Sequence, residues 1–312
     1  MRNPEMLARV FKADADSSDL TAGGALRDDI AARYIETPIK ESVMLSEVRA
    51  EPMMAKQKHL PKVIFGRVAK PGAEGVALPL ADRSQLTHSE VVVSVVTIKA
   101  EVRWTDEYIE DSINSGNFEN VIVNFLSRAW ARDLEFFAIQ GDTTSGTPLL
   151  ALQDGWIKRA SAVTYAHGGA VPNKTLWSEA VRAMDSEFIG DLAGMRHYTG
   201  THVKLRYIEE VADRQTGLGD AYYVANATVT GAGVPIIGVP EFPQNLGGGT
   251  DESVALTTRP ENLIIAYWPG RTRIEFDRDV SAGNNLVVSR VRVGNQIEET
   301  SAVCKSTAIL AL

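Results

Sequence analysis

The stretch WTDEYIEDSINSGNFENVIVNFLSRAWARDLEFFAIQG, Trp104 to Gly141, decides how this chain is read. In its second half the apolar residues Phe118, Val121, Ile122, Phe125, Leu126, Ala129, Trp130, Leu134 and Phe137 recur in steps of three and four. That spacing predicts one helix with a wide apolar face, over residues 117–140. Asn117 fits the N-cap, Glu119 complements the helix dipole in the first turn, and Gly141 fits the C′ position that ends a helix. At 1.5 Å per residue the helix is about 36 Å long, well beyond the mean helix of about 11–12 residues. Something long must lie against it, and Trp130 and its neighbours are expected to be core.

Outward from this spine, residues 91–104 (VVVSVVTIKAEVRW) resolve into alternation. Ile98, Ala100, Val102 and Trp104 face one way and Thr97, Lys99, Glu101 and Arg103 the other, which is a half-buried strand whose natural partner is the helix. Thr105-Asp106-Glu107 offers a cap for a short helix between them. Upstream, residues 51–90 hold Pro52, Pro61, Pro71 and Pro79 and Gly66, Gly72 and Gly75 around short β-prone pieces. This is a long two-stranded excursion. A lone hairpin is marginal in water and a long structureless loop is uncommon in a compact domain, so the excursion either folds back or lies on another molecule. Residues 1–25 read as an extended arm, followed by a short helix broken before Pro38 and a strand-like segment around Val43–Val48.

Downstream, a new unit begins near Ala170. Thr175 caps a helix carrying Trp177, Ala180, Val181, Met184 and Phe188. A second helix around His202–Asp213 groups Leu205, Ile208, Val211 and Ala212. Val234–Val239 and Leu263–Trp268 read as strands. Arg273–Phe276 and Leu286–Val293 read as a hairpin, and Ser301–Leu312 ends β-prone. Helices and strands are mixed without strict alternation, so the class is α+β.

The chain has 312 residues, 44% of them hydrophobic and 23% charged, with a net charge of −8. That acidity argues against a dedicated nucleic-acid binder or a partner of anionic membranes. The single cysteine, Cys304, excludes an internal disulfide framework and any multi-thiolate metal site. No signal-peptide core and no apolar run of membrane-spanning length stands in the sequence. There is no phosphate-binding loop, no strand-followed GxGxxG, no HExxH and no GxSxG. His197 and His202 are five apart, a poor spacing for a shared metal. Acid pairs such as Asp106/Glu110 and Glu298/Glu299 read as solvated faces. No catalytic, cofactor or metal constellation emerges.

The strand ending Lys99-Ala-Glu-Val-Arg-Trp-Thr-Asp-Glu-Tyr, the long helix ending Glu135-Phe-Phe-Ala-Ile-Gln-Gly141-Asp142, and then Pro148 and Asp154-Gly155-Trp156 carry a resemblance. The chain resembles the major capsid proteins of tailed bacteriophages with the Hong Kong 97 type fold. The resemblance implies an N-terminal arm (1–27) and a first part of a peripheral domain (28–50). It implies an extended loop, or E-loop (51–90), and the main peripheral domain with the spine helix (91–169). An axial domain (170–265), return strands of the peripheral domain (266–299) and a terminal axial strand (300–312) complete it.

The function so implied is structural rather than enzymatic: self-assembly into hexamers and pentamers of an icosahedral head enclosing double-stranded DNA, with assembly in the host bacterial cytoplasm. Implied partners are other copies of the chain, a portal, a decoration or cement protein, and weakly held DNA; because the arm begins almost at Met1, the resemblance also implies a separate scaffold protein, or no need for one. No membrane and no cofactor are implied. Some relatives cross-link a lysine to an asparagine with the help of a glutamate. Here Asn285 matches the asparagine, but Arg292 stands for the glutamate and Leu78 for the lysine, so a non-covalent shell is expected. Arg67 and Lys70 of the E-loop, with Lys62 as a further lysine there, are the candidates to meet a neighbour's spine helix at Asp133 or Glu135. Two rivals remain: an encapsulin, which is a cargo-holding shell of the same fold, and an α+β hydrolase using an acid pair.

Overall fold

Phe118–Gln140 forms a single helix of 23 residues in the computed structural model. The structure describes residues 14–15, 42–64, 69, 77, 87–110, 118–213, 229–271 and 273–311. The expected arm, the helix before Pro38 and the N-cap Asn117 fall almost wholly outside them.

In chain order the first elements are β1 (Asp14–Ala15), β2 (Arg49–Pro52), β3 (Gln57–Ile64), β4 (Thr87–Ser94) and β5 (Val96–Thr105). Then come α1 (Asp106–Glu110), the spine α2 (Phe118–Gln140) and α3 (Trp156–Arg159). They are followed by β6 (Val163–Ala170), α4 (Lys174–Arg182), β7 (Arg196–Gly200) and α5 (Thr201–Ala212). The last are β8 (Thr230–Gly231), β9 (Val234–Val239), β10 (Glu252–Thr258), β11 (Leu263–Tyr267), β12 (Arg273–Asp279), β13 (Asn284–Ile297) and β14 (Cys304–Leu310).

Two mixed sheets result. The first runs β1-β5-β13-β11-β2, with β12 continuing the β11 side of β13; the second runs β6-β14-β10-β7-β9-β8. β5 shows the alternation expected of it: Ile98 and Trp104 are buried, Ala100 and Val102 half-buried, and Thr97, Lys99, Glu101 and Arg103 exposed. Its apolar face meets α2 through Trp104, Leu126, Trp130 and Val287. The Thr105 hydroxyl accepts the Tyr108 N–H at 3.2 Å and caps α1.

The spine is buried unevenly. Trp130 and Leu134 are only half-buried, so Trp130 is a rim residue rather than the core residue expected, while Phe137, Ala138 and Ile139 are fully enclosed. Three consecutive buried residues break the one-face pattern because the helix end is embedded. Ile98, Leu263, Val293 and Ile297 of the first sheet pack with it. Tyr198, Val239 and Leu256 of the second sheet pack into the same cluster, and Trp156 completes it. The C-terminal end of α2 is therefore the joint between the two sheets.

Four local expectations shift. Val43–Val48 is a turn, not a strand, because its backbone N–H groups turn toward a buried carboxylate on α2; the strand is Arg49–Pro52. The cap of α4 is Asn173, whose side chain accepts the N–H groups of Thr175 and Leu176, and α4 ends before Phe188. On α5 the buried pair is Val203 and Tyr207, and Leu205 is exposed. Strands β6, β7 and β10 lie where none was expected.

In the second sheet, His197 is fully buried against Trp177, with ring centroids 4.8 Å apart. Its Nε2 lies 3.1 Å from the Gly231 carbonyl, which can only accept, so Nε2 carries the proton. Nδ1 then accepts the Thr257 hydroxyl at 2.7 Å. Burial holds the imidazole neutral and pushes its pKa down to about 4. The unfolded chain takes up this proton below about pH 6.5 and the folded chain does not until about pH 4, so stability is lost as pH falls through that window. Urea unfolding at two pH values should show a loss about 2–3 kcal/mol larger in the parent chain than in His197→Gln. Equal losses would remove His197 as the cause.

Candidate assembly surfaces and the helix-end junction

The chain leaves α2 through a backbone-to-backbone crossing. Gly141 N–H completes the helix by donating to Phe137 O at 3.0 Å, and the Gly155 N–H donates to Gly141 O at 2.7 Å. Gly141 does not have the positive φ of a C′ glycine. Its value is space: a Cβ there would run into the Gln153 carbonyl and lie 2.8 Å from Gly155 N. A Cβ on Gly155 would lie 2.5 Å from Gly141 N and 2.6 Å from Ile139 O. This crossing aims Trp156 into the joint, where its Nε1 donates to Gln296 O at 3.1 Å.

A polar clasp closes over the crossing. Lys158 Nζ stands 2.6 Å from Asp142 and 3.0 Å from Asp154. Asp154 accepts the Thr143 N–H at 2.9 Å, and Asp142 the Thr144 N–H at 2.7 Å. The Lys158 ammonium, with help from Thr144, draws the Asp142 pKa down to about 2. Arg159 adds bonds to Asp154 O, Asn295 and Gln296. The Gly-Asp and Asp-Gly-Trp motifs of the sequence thus serve one structural junction.

The candidate contact residues separate. Arg67 and Lys70 lie outside the described residues. Lys62 pairs with Glu299 of its own chain. The base of the excursion folds back: β3 and β4 pair from Gln57↔Ser94 to Ile64↔Thr87, Lys58 pairs with Glu51, and Gln296 donates to Val92 O at 2.8 Å. Asp133 is partly exposed on α2 beside Arg132. Glu135, two residues further along the helix, is 1% exposed and accepts the Met44 N–H at 2.6 Å, with Leu45 and Val43 also donating. Burial raises its pKa against these donors. Its carboxylate is committed within the chain, which withdraws Glu135 as a meeting point for a neighbour and leaves Asp133. Nothing in the order of charges along the helix distinguishes the two; only the fold does.

Asn285 donates its side-chain N–H to Asp106 at 2.6 Å, and the other oxygen of Asp106 takes Arg278 at 2.6 Å. Arg292 lies over the Trp268 ring, 4.9 Å from its centroid. Cys304 is buried, and burial pushes its thiol up to about 11, out of the range of a nucleophile. Among the described residues no three His, Cys, Asp or Glu gather as a metal-ligand set, and no helix is long and apolar enough to cross a membrane. A further surface went unnoticed in the sequence. β12 is exposed along its whole length, with Ile274 at 45%, Phe276 at 52% and Val280 beyond it at 80%.

No protein-family model matches the chain. It is 29% identical over 310 residues, 98% of each chain, to the Bacillus subtilis (strain 168) prophage protein YqbE, assigned as a capsid protein. Its fold matches the capsid of the native GTA particle with a TM-score of 0.67 at 15% identity, covering 94% of this chain and 99% of that one. The Gordonia phage Cozz structure matches with a TM-score of 0.65 at 15% identity over 93% of both chains. The chain has the Hong Kong 97 type fold of these phage-type capsids. The same capsid fold appears in the holo-SrpI encapsulin complex of Synechococcus elongatus, with a TM-score of 0.62 at 11% identity over 95% and 96% of the two chains.

Proposed function

We propose that this chain is a capsid protein, the repeating subunit of an icosahedral phage head, assembled from hexamers and pentamers around double-stranded DNA and held without covalent links. The observation that carries this reading is a fold correspondence that runs nearly end to end with phage and GTA capsid structures. In this reading the first sheet with α2 is the peripheral domain, the second sheet the axial domain, and β3–β4 the base of the E-loop. Arg67 and Lys70 reach a neighbour's spine helix at Asp133. β12 offers Ile274 and Phe276 to a further neighbour, because an exposed strand edge with apolar side chains is a ready pairing surface. Obligate interfaces of this kind bury roughly 2,000 Å² or more.

The lattice is non-covalent because Arg292 cannot assist the Asn285 amide as a glutamate would. A net charge of −8 keeps the shell from gripping DNA, so the genome packs and leaves. Scaffold, portal and cement proteins are its partners, and the virion is its destination.

The full chain, expressed alone, should give closed particles or capsomer rings in negative-stain microscopy and matching boundaries in sedimentation. A chain that stays monomeric at all concentrations and with its scaffold would sink the reading. The shared fold of the encapsulin complex favours a second reading, a cargo compartment. Particle contents separate the two: nuclease-protected double-stranded DNA supports the phage head, a packaged enzyme the compartment.

A further inference from the structure

β12 has an open edge. β13 pairs with one side of it from Arg273↔Arg290 to Asp279↔Asn284. Among the described residues no strand pairs with its other side. All seven of its residues are exposed. Alternation sorts them onto two faces. Ile274 and Phe276 lie opposite Ser289 and Val287, on the face of the first sheet that carries Trp104 and meets α2. Arg273, Glu275, Asp277 and Asp279 lie on the other face. The charges there run in a definite order: Arg271, just before the strand, and Arg273 are followed by Glu275 and Asp277. Within the chain these four are weakly engaged. Glu275 stands 3.8 Å from Arg273 and 3.9 Å from Arg290, longer than the roughly 2.7–2.9 Å of a charge-assisted hydrogen bond. Among the described residues Arg271 has no carboxylate partner, and Asp277 accepts just the backbone N–H of Arg278 at 2.8 Å. Arg278 and Asp279, by contrast, are held by Asp106 at 2.6 Å and by the Ser281 hydroxyl at 2.8 Å.

We propose that β12 pairs edge to edge with β12 of a second copy, antiparallel about a two-fold axis at Ile274. This rests on the reading of β12 as a contact between copies and deepens it by fixing the partner strand and the register. A two-fold axis that joins two antiparallel edges stands perpendicular to the sheet. Each face then continues into the same face of the partner, and odd residues meet odd, even meet even. Centred on Ile274, Arg273 falls opposite the partner's Glu275, and Arg271 comes within reach of the partner's Asp277. Symmetry makes each of these pairs twice. Ile274 meets the partner's Ile274. The neighbouring registers set like charges against each other. Centred on Arg273, Glu275 or Asp277, that residue faces its own copy; centred on Phe276, Glu275 faces the partner's Asp277 twice. Like charges directly opposite destabilise a sheet, so the charge order selects Ile274. Ile274, 45% exposed in the single chain, is covered in the pair, and the open backbone groups of both edges find partners.

Single cysteines test the register. Ile274→Cys puts two thiols directly opposite, at a Cα separation of roughly 4.5–5.5 Å that a disulfide accepts. Glu275→Cys stands on a diagonal of roughly 7–8 Å from its copy and Phe276→Cys roughly 13 Å away, both beyond that reach. All three positions are exposed, so the substitutions leave the core untouched. The only native thiol, Cys304, is buried and stays silent. Mild oxidation of the full chain at low salt, read by non-reducing gel, should link two copies through Ile274→Cys several-fold more than through either other position. Adding Glu275→Arg should lower that yield several-fold, and adding Arg273→Glu as well should restore most of it. Equal yields at the three positions, a greater yield at 275 or 276, or a yield indifferent to the charge reversals would each overturn the proposal. The pairing and the shell fail separately. Particles without a 274–274 link would remove the pairing and leave the head; a chain that links at 274 without forming particles would keep the pairing and remove the head.

Discussion

Gly141→Ala is expected to destabilise the folded chain by about 3 kcal/mol, the upper end of what overpacking ordinarily costs. The reason is purely steric, because Gly141 sits in a conformation open to any residue. The atoms a methyl group would strike are the Gln153 carbonyl, Gly155 N and Phe137 O, all backbone and none able to swing aside. Moving the 153–155 segment away would break the 2.7 Å bond from Gly155 N–H to Gly141 O and withdraw Trp156 from the joint. Gly155→Ala should cost a similar amount. The double variant should cost less than the sum, since both methyl groups force open the same crossing. Urea unfolding of dissociated subunits measures all three. A Gly141→Ala loss under about 0.5 kcal/mol would show that the crossing yields easily.

Trp156→Ala should cost about 4 kcal/mol, in the range for emptying a buried tryptophan site. Trp156 has no exposed surface and touches the cluster shared by α2 and both sheets, so the cavity would open at the joint itself. Trp156→Phe should cost less, about 1–2 kcal/mol, by leaving the Gln296 carbonyl without its donor. If both variants cost the same, the indole–carbonyl bond rather than ring volume holds the joint. In particle assays at a temperature where each variant stays folded, Trp156→Ala should also lower the yield of closed shells, because a loosened joint spreads the angle between the sheets. Unchanged yield would separate joint rigidity from assembly.

The elements legible in the sequence are those whose burial repeats along the chain. Phe118–Gln140 and Val96–Thr105 each carry one buried face, and a period of about 3.6 or of 2 writes that face into the residue order. Val234–Val239 and the β12–β13 hairpin are read for similar local reasons. β7 and β10 were illegible. They lie inside the second sheet and are covered on both faces, so alternation is lost, and Ser253, Thr257, Thr258, His197 and Thr199 are buried among them. Several of those polar groups are satisfied by segments distant in sequence: Thr257 and Gly231 for His197, the Val254 carbonyl for Thr199 and the Ala302 carbonyl for Thr258.

The candidate contacts divide along the same line. Asp133 and Glu135 are equal as charges on a helix, and the choice between them depends on Val43–Leu45, some ninety residues upstream, which turn their N–H groups onto one carboxylate and not the other. Likewise Gly141 and Gly155 read as a helix stop and a turn. Their shared purpose exists only once the two backbones cross.

By itself the sequence determined a long helix laid on an alternating strand, an α+β chain, and the order of motifs that points to a capsid protein. These follow from periodicity and local conformation, which act over a few residues. Only the tertiary structure decided that the helix end is the joint between two sheets, that Glu135 is sealed inside while Asp133 stays out, and that β12 is bare. Each of these depends on which distant segments cover a given side chain, and covering is a property of packing in three dimensions.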